Sequence, residues 1–267
     1  MSFIRSVVLA ITGLAGVALL AAREARAADA SERGPGKFGT PSGGLSIGAG
    51  VNDSDPGYVG YHSSVTPFPL FSYRYDRFFV SGVTAGYVAV NNDAFTMSLV
   101  LLPQTMRFRS SDSPQLAGLR PRQWSIDGGL TFSLSRTWGT VSLSALQDVL
   151  ARNKGTQLGL RYGYPIPLGG GVLSPGIGVT WESANLTRYY YGISNAEALP
   201  IRPAYSPGSA SNPSAGLSYA HPLSTRCRLT ASADYTHFDR SIRQSPIIDK
   251  SNVMGFTLAF SYSFARP

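Results

Sequence analysis

From Ser251 to Phe264 the chain reads SNVMGFTLAFSYSF, with its bulky residues on every second position. Met254, Phe256, Leu258, Phe260, Tyr262 and Phe264 alternate with Gly255, Thr257, Ala259, Ser261 and Ser263. A period of two sends the two sets to opposite faces of a β-strand. The same alternation starts at Leu45, Ile47, Ala49 and Val51 and recurs along most of the chain. It predicts strands over 68–75, 78–90, 95–101, 124–134, 140–145, 157–164, 173–181, around Leu217 and Tyr219, and over 226–235. Residues 58–65 form a further, weakly patterned candidate. Segments 110–121, 184–211 and 237–250 carry no strand pattern and predict long loops.

Alternation alone does not separate a soluble sandwich from a membrane barrel, because one hides the apolar face and the other turns it to lipid. Three features favour the barrel. The small-residue parity is Gly, Ser and Thr with isolated charges. Aromatic residues gather near strand ends, at Trp124, Trp138, Tyr164, Trp181, Tyr235 and Phe264, as interfacial girdles do. Short turns alternate with long loops, and the last strand closes on an aromatic residue, although Ala265, Arg266 and Pro267 follow it. The expected fold is all-β, an antiparallel up-and-down transmembrane β-barrel with the bulky parity facing lipid. About eleven strands emerge. An even number is expected, so twelve if 58–65 is a strand, or ten if it and another weak segment are loop.

The N-terminus sets the compartment. A short basic region precedes the uncharged apolar stretch Ser6–Ala22, and Ala25-Arg26-Ala27 follows as an A-x-A site. This reads as a signal peptide over 1–27, then a flexible periplasmic leader over 28–43, then the barrel over 44–267. No later stretch is apolar for the roughly 18 residues a spanning helix needs. An exported chain that spans a membrane without helices is left with a closed barrel, placed in the outer membrane against lipid and lipopolysaccharide.

Charge and chemistry change this picture little. The formal charge is +8, and lysine is scarce, so the basic balance is arginine. These arginines are scattered rather than clustered, which excludes nucleic acid as a partner class. Cys227 is the single cysteine, so no intrachain disulfide forms. Asp127, Arg161, Arg226, Arg228 and Asp234 fall on the inward parity. They predict either a plug of paired charges or a narrow, arginine-lined path for small anions. Gly44-Leu45-Ser46-Ile47-Gly48 matches G-x-S-x-G but lies inside a strand rather than at a strand-to-helix turn. His237, Asp239 and Ser241 are the residues that could form a hydrolase site at the rim. No metal-ligand spacing is present, and no cofactor is expected.

The order of features between Ala145 and Ser194 is specific. Asp148 ends one strand, Gly155 opens the next, and Tyr162-Gly163-Tyr164-Pro165 closes it. Then follow Pro175, Gly178, Trp181-Glu182-Ser183 and Tyr189-Tyr190-Tyr191-Gly192-Ile193-Ser194. Phe68 to Tyr73, Arg77 to Gly82, and Ser245-Pro246 fit the same order. The chain resembles the MipA/OmpV family of outer-membrane proteins over almost its whole length beyond the signal peptide. The resemblance implies a non-enzymatic barrel with an envelope-maintenance or scaffolding role, joining murein-hydrolase and murein-synthesis proteins, or else a narrow channel for small solutes. Asp148, Trp181, Tyr189, Tyr190, Tyr191, Gly192, Ser245 and Pro246 are its signature positions, with no partner site attached to them.

Overall fold

The computed structural model describes residues 44–61 and 63–264. Residues 1–43, with the expected signal peptide and leader, His62 and the tail Ala265–Pro267 lie outside the described residues. The strands are β1 (Gly44–Ser54), β2 (Ser64–Tyr75), β3 (Phe78–Ser81), β4 (Thr84–Asn91), β5 (Phe95–Gln104), β6 (Ser125–Arg136), β7 (Gly139–Asp148), β8 (Thr156–Gly163), β9 (Ile166–Leu168), β10 (Gly171–Glu182), β11 (Ala210–Pro222), β12 (Cys227–His237) and β13 (Asn252–Ser263). Each pairs antiparallel with its neighbours. Both β8 and β9 lie against β10, so β9 continues the line of β8 past Tyr164-Pro165. Twelve strands therefore make the ring.

The ring closes between its ends. β13 pairs with β1 from Ser46↔Ser263 to Ser54↔Gly255, and the hydroxyls of Ser46 and Ser263 meet at 2.7 Å. Closure gives both edge strands a partner, which a barrel in hydrocarbon requires. The parities sort as the membrane reading demands. Phe256 and Leu258 are 50% and 48% exposed, while Thr257 and Ala259 between them are 7% and 8% exposed. Ile47, Leu99, Leu130, Leu143, Leu160, Ile177 and Leu217 also face outward around the ring. No soluble fold could leave such a belt bare; here lipid covers it. Among the described residues no helix is long and apolar enough to cross a membrane.

Twelve strands are present, but the twelfth is not the one expected. Residues 58–61 belong to a loop, where Tyr58 makes an isolated bridge to Ile248, and β2 begins at Ser64. The extra strand comes instead from the segment 78–90, which folds back on itself. Gly82 takes a φ of +58°, a left-handed conformation open to glycine at no steric cost, and Gly82-Val83 turns β3 into β4. Segment 184–211 also differs from a plain loop. It holds the helix α1 (Ala184–Tyr191), a 3₁₀ turn (Asn195–Glu197) and the start of β11. A second short helix, α2 (Arg240–Arg243), lies between β12 and β13.

The long connections 55–63, 105–124, 149–155, 183–209 and 238–251 share one end of the barrel. The turns 76–77, 92–94, 137–138, 169–170 and 223–226 share the other, with the first and last strand ends. Outer-membrane barrels keep short turns in the periplasm and long loops outside, and this fixes the orientation. A charge placed in the belt tests the outward face. Leu258→Arg should destabilise the barrel by about 2–4 kcal/mol in urea unfolding from lipid vesicles. An unchanged unfolding midpoint would show that this face does not meet lipid.

Candidate functional site: the closed outer mouth

The long loops fold over the outer mouth and build their own hydrophobic core. Tyr58 comes from loop 55–63, Phe108, Leu116 and Leu119 from loop 105–124, Leu186, Tyr190, Tyr191 and Ile193 from the helix α1 and its exit, and Phe238, Ile242, Ile247 and Ile248 from loop 238–251. Tyr58, Phe108 and Tyr190 are fully buried. Tyr58 packs edge-on to Phe108 with centroids 4.9 Å apart, and its hydroxyl donates to the carbonyl of Tyr190 at 3.3 Å. Burial pushes the hydroxyls of Tyr58, Tyr190 and Tyr191 above the usual tyrosine range, so all three stay neutral.

Buried polar groups lock this cap. Arg122 donates to both carboxylate oxygens of Glu197, at 3.1 and 3.2 Å, and to the carbonyl of Gly192 at 3.2 Å. The two side chains are only 9% and 5% exposed, and the guanidinium also lies over the rings of Phe108 and Tyr189. Glu197 accepts further from Ser194 Oγ at 2.7 Å, Ser194 N at 3.1 Å and Arg120 N at 2.8 Å. Burial would raise the carboxyl of Glu197, but the bonds from Arg122, Ser194 and Arg120 outweigh it and hold the group at about 2. Arg202 adds a second clamp, donating to the carbonyls of Gln115, Ala117 and Glu197. Both guanidinium groups thus pin loop 105–124 to loop 183–209, with donors that end on backbone carbonyls or a carboxylate.

Under the cap the lumen is lined by Ser, Thr and Gly with few charges. Arg161 of β8 and Asp234 of β12 meet at 3.3 Å over the inner face of β10 and β11. They pass over Gly216, where a Cβ would come within 2.7 Å of Asp234 Oδ1 and 3.0 Å of Arg161 Nη2. Asp127 stands apart from this pair, buried beside Asp148 across the β6–β7 ladder. Arg228 lies on the inward parity of β12, opposite Ser261. Arg226 does not join the lumen. It sits in the turn before β12, exposed, and donates to the hydroxyl of Tyr262 at 3.2 Å. The strand starts at Cys227, so its alternation of faces does not reach Arg226.

The family described as "MltA-interacting protein MipA" matches residues 45–264 of this chain. The chain belongs to that family. Its relatives include the putative outer membrane protein YiaT of Escherichia coli K12, 31% identical over 82% of this chain and 91% of that protein. The MltA-interacting protein of the same organism is 28% identical over 82% and 90%. OmpV of Vibrio cholerae is 28% identical over 68% and 72%. A MipA-family barrel with these relatives is an outer-membrane protein.

The positions expected as the signature mostly assemble the cap. Tyr190 and Tyr191 fill its core, Tyr189 stacks edge-on to Tyr190 at 4.9 Å, and Gly192 ends α1 with its N–H bonded to Arg188 O. Ser245 Oγ donates to the carbonyl of Tyr191 at 2.6 Å and so ties the last loop to α1, with Pro246 following it. Asp148 accepts from the backbone N–H groups of Leu150, Asn153 and Lys154 and from the Ser125 hydroxyl. It thereby holds a tight loop in which Ala151 and Lys154 take positive φ. Trp181 is the exception, standing outward at the end of β10. Sequence reading missed Arg122, Glu197 and Arg202. The Ser194-to-Glu197 capping box was the one local signal, since serine and glutamate three apart mark a helical start.

The rim residues do not form a hydrolase site. Ser241 gives its hydroxyl to Asp239 at 2.9 Å, and Asp239 also caps α2 through Ser241 N at 2.8 Å. No histidine stands between them, and His237 belongs to β12 opposite Asn252. Ser46 is engaged with Ser263 inside the sheet. Among the described residues no group of three or more His, Cys, Asp or Glu is arranged to hold a metal.

Two predictions follow from the clamp. Arg122→Ala should cost about 3–5 kcal/mol, the usual penalty for stranding one partner of a buried ion pair. Hydrogen exchange should then quicken in 105–124 and 183–209 but not in β11–β13. The acid dependence has a fixed sign. Glu197 is lower in the folded cap than its ordinary 4.5, so its contribution is complete above that value and is lost as pH falls toward about 2. Cap-specific exchange measured across that window should rise in the native chain, and rise less in Glu197→Gln.

Proposed function

We propose that this MipA-family barrel is a non-enzymatic envelope protein that acts by holding partners, not by passing solutes. The observation that carries this reading is the cap. Four loops with a common core and two buried arginine clamps stand over the outer mouth, where an open channel would need a water-filled entrance. The Arg161–Asp234 pair adds to it, since paired charges in a narrow lumen act as a plug rather than as a selective lining. One relative is named for its interaction with MltA. By analogy we assign this chain a murein-processing partner, met at the periplasmic turns, and a scaffolding role between murein-hydrolase and murein-synthesis proteins.

Planar-bilayer recording of the refolded barrel tests the first part. The intact protein should be silent, and a variant lacking both clamps, Arg122→Ala with Arg202→Ala, should show intermittent currents as the cap loosens. Stable step currents from the intact protein would favour a narrow channel for small solutes instead. For the partner, crosslinking in whole envelopes followed by affinity capture should recover a murein hydrolase or synthase through contacts at turns 76–77, 137–138 or 223–226. Crosslinks confined to the outer loops would remove that assignment.

A further inference from the structure

The wall of the barrel is interrupted between β2 and β5. β3 pairs with β2 only along Ser72–Tyr75, and the last pair between β4 and β5 is Ala85↔Leu101. Outward of the hairpin tip at Gly82, β2 runs on from Ser64 bonded to β1 alone, while Leu102, Pro103 and Gln104 of β5 are bonded to β6 alone. A Cβ added to Gly82 would meet nothing within 4 Å. A notch therefore lies above this low hairpin.

Its edge is chemically unusual. Gly82 N donates to Phe71 O at 2.7 Å, so the odd residues of β2 turn their backbone groups away from β1. Val65, Pro67 and Pro69 thus line the free edge. Proline has no N–H and is tolerated in sheets where that donor would be unpaired. The edge keeps three carbonyls and one N–H. It cannot template another strand, yet it still carries polar groups. Pro67 lies opposite Val51 and Pro69 opposite Ala49, and these pair with Leu258 and Phe260 of the lipid-facing belt. The notch is at membrane depth, where hydrocarbon alone does not satisfy an open sheet edge.

Behind the notch the interior changes character. Phe68 packs inward with Leu70, Val83 and Ala259, and Phe79 packs with Val100, Leu102 and Leu146. These are bulky apolar side chains on a face that is otherwise serine, threonine and glycine. Leu102 and Leu146 also line a recess of about 180 Å³, together with Ser142, Ser144, Ser214 and Arg161.

We propose that the notch is a lateral portal, through which a single-chain amphiphile from the outer leaflet places its polar head in this recess and its chain along Phe68, Leu102 and Leu146. The head would meet the serine hydroxyls and the guanidinium face. The carbonyl edge of β2 would accept from head-group donors or from water carried in with them. Phe68 and Val83 close the passage in the empty barrel. This goes beyond the scaffolding reading and does not depend on it, since the cap can stay shut while the side opens.

Photo-crosslinking tests it on the unaltered protein in phospholipid bilayers, with a fatty acid carrying a diazirine midway along its chain. Adducts should appear on inward Phe68, Leu102 and Leu146, and excess oleate should suppress them, while adducts on outward Leu99, Leu143 and Leu258 should persist. Adducts confined to the outward set, or inward adducts that oleate does not reduce, would overturn the portal. A second measurement compares Leu102→Cys with Thr131→Cys, each in a Cys227→Ser background, using pyrene maleimide dissolved in the bilayer. Both sites are inward, but only the first lies by the notch. It should react about tenfold faster, a difference of about 1.4 kcal/mol in access, and equal rates would count against the proposal.

Discussion

Hydrocarbon offers a peptide group nothing to bond with, and each strand of this chain answers that by pairing on both sides. An isolated N–H or C=O left in the bilayer core costs several kcal/mol. The pairing of β13 with β1 gives the first and last strands their second partner, and the remaining features follow from it. Because the ring satisfies its own backbone, side chains are free to sort by solvent. Leucine and phenylalanine go out to lipid and serine and glycine go in. The one stretch where pairing lapses, beside Pro67 and Pro69, is also where the chain has dispensed with two of the donors that would have been stranded.

The molecule holds two kinds of interior. In the barrel the apolar residues are outside and the inner face is polar. In the cap the order is that of a water-soluble domain, with tyrosine, phenylalanine and isoleucine inside and charges around them. The two solvents meet at the outer rim, and the residues stationed there serve both. Asp148 ends a barrel strand and organises the loop beyond it, and Tyr190 faces the cap core while its hydroxyl reaches the carbonyl of Gln123 at 3.2 Å.

How much of this the chain declares depends on range. A strand face is set by neighbours two apart, so β13 could be read residue by residue, and so could which face meets lipid. The hairpin at Gly82 escaped because Phe79 is as bulky as the outward Phe78. The change of parity at the turn was masked by an aromatic pointing inward. The cap core was illegible for another reason. Tyr58, Leu116, Tyr190 and Ile247 come from four loops and share no period. Arg122 and Glu197 are 75 positions apart, so nothing local marks them as partners. The tyrosines of α1 could be singled out by resemblance, but only packing shows that they fill a core rather than face a ligand.

The seam between the first and last strands also governs when this molecule can exist. The hydroxyls that meet across it are 217 positions apart in sequence, and contacts that distant form slowly because the loop entropy must be met before they stabilise anything. Until the final dozen residues arrive, every partial sheet has two raw margins and a greasy face, the state most prone to clumping. Assembly is therefore a late, all-at-once event, and a chain of this design depends on being kept apart from its siblings until its C-terminal strand reaches the membrane.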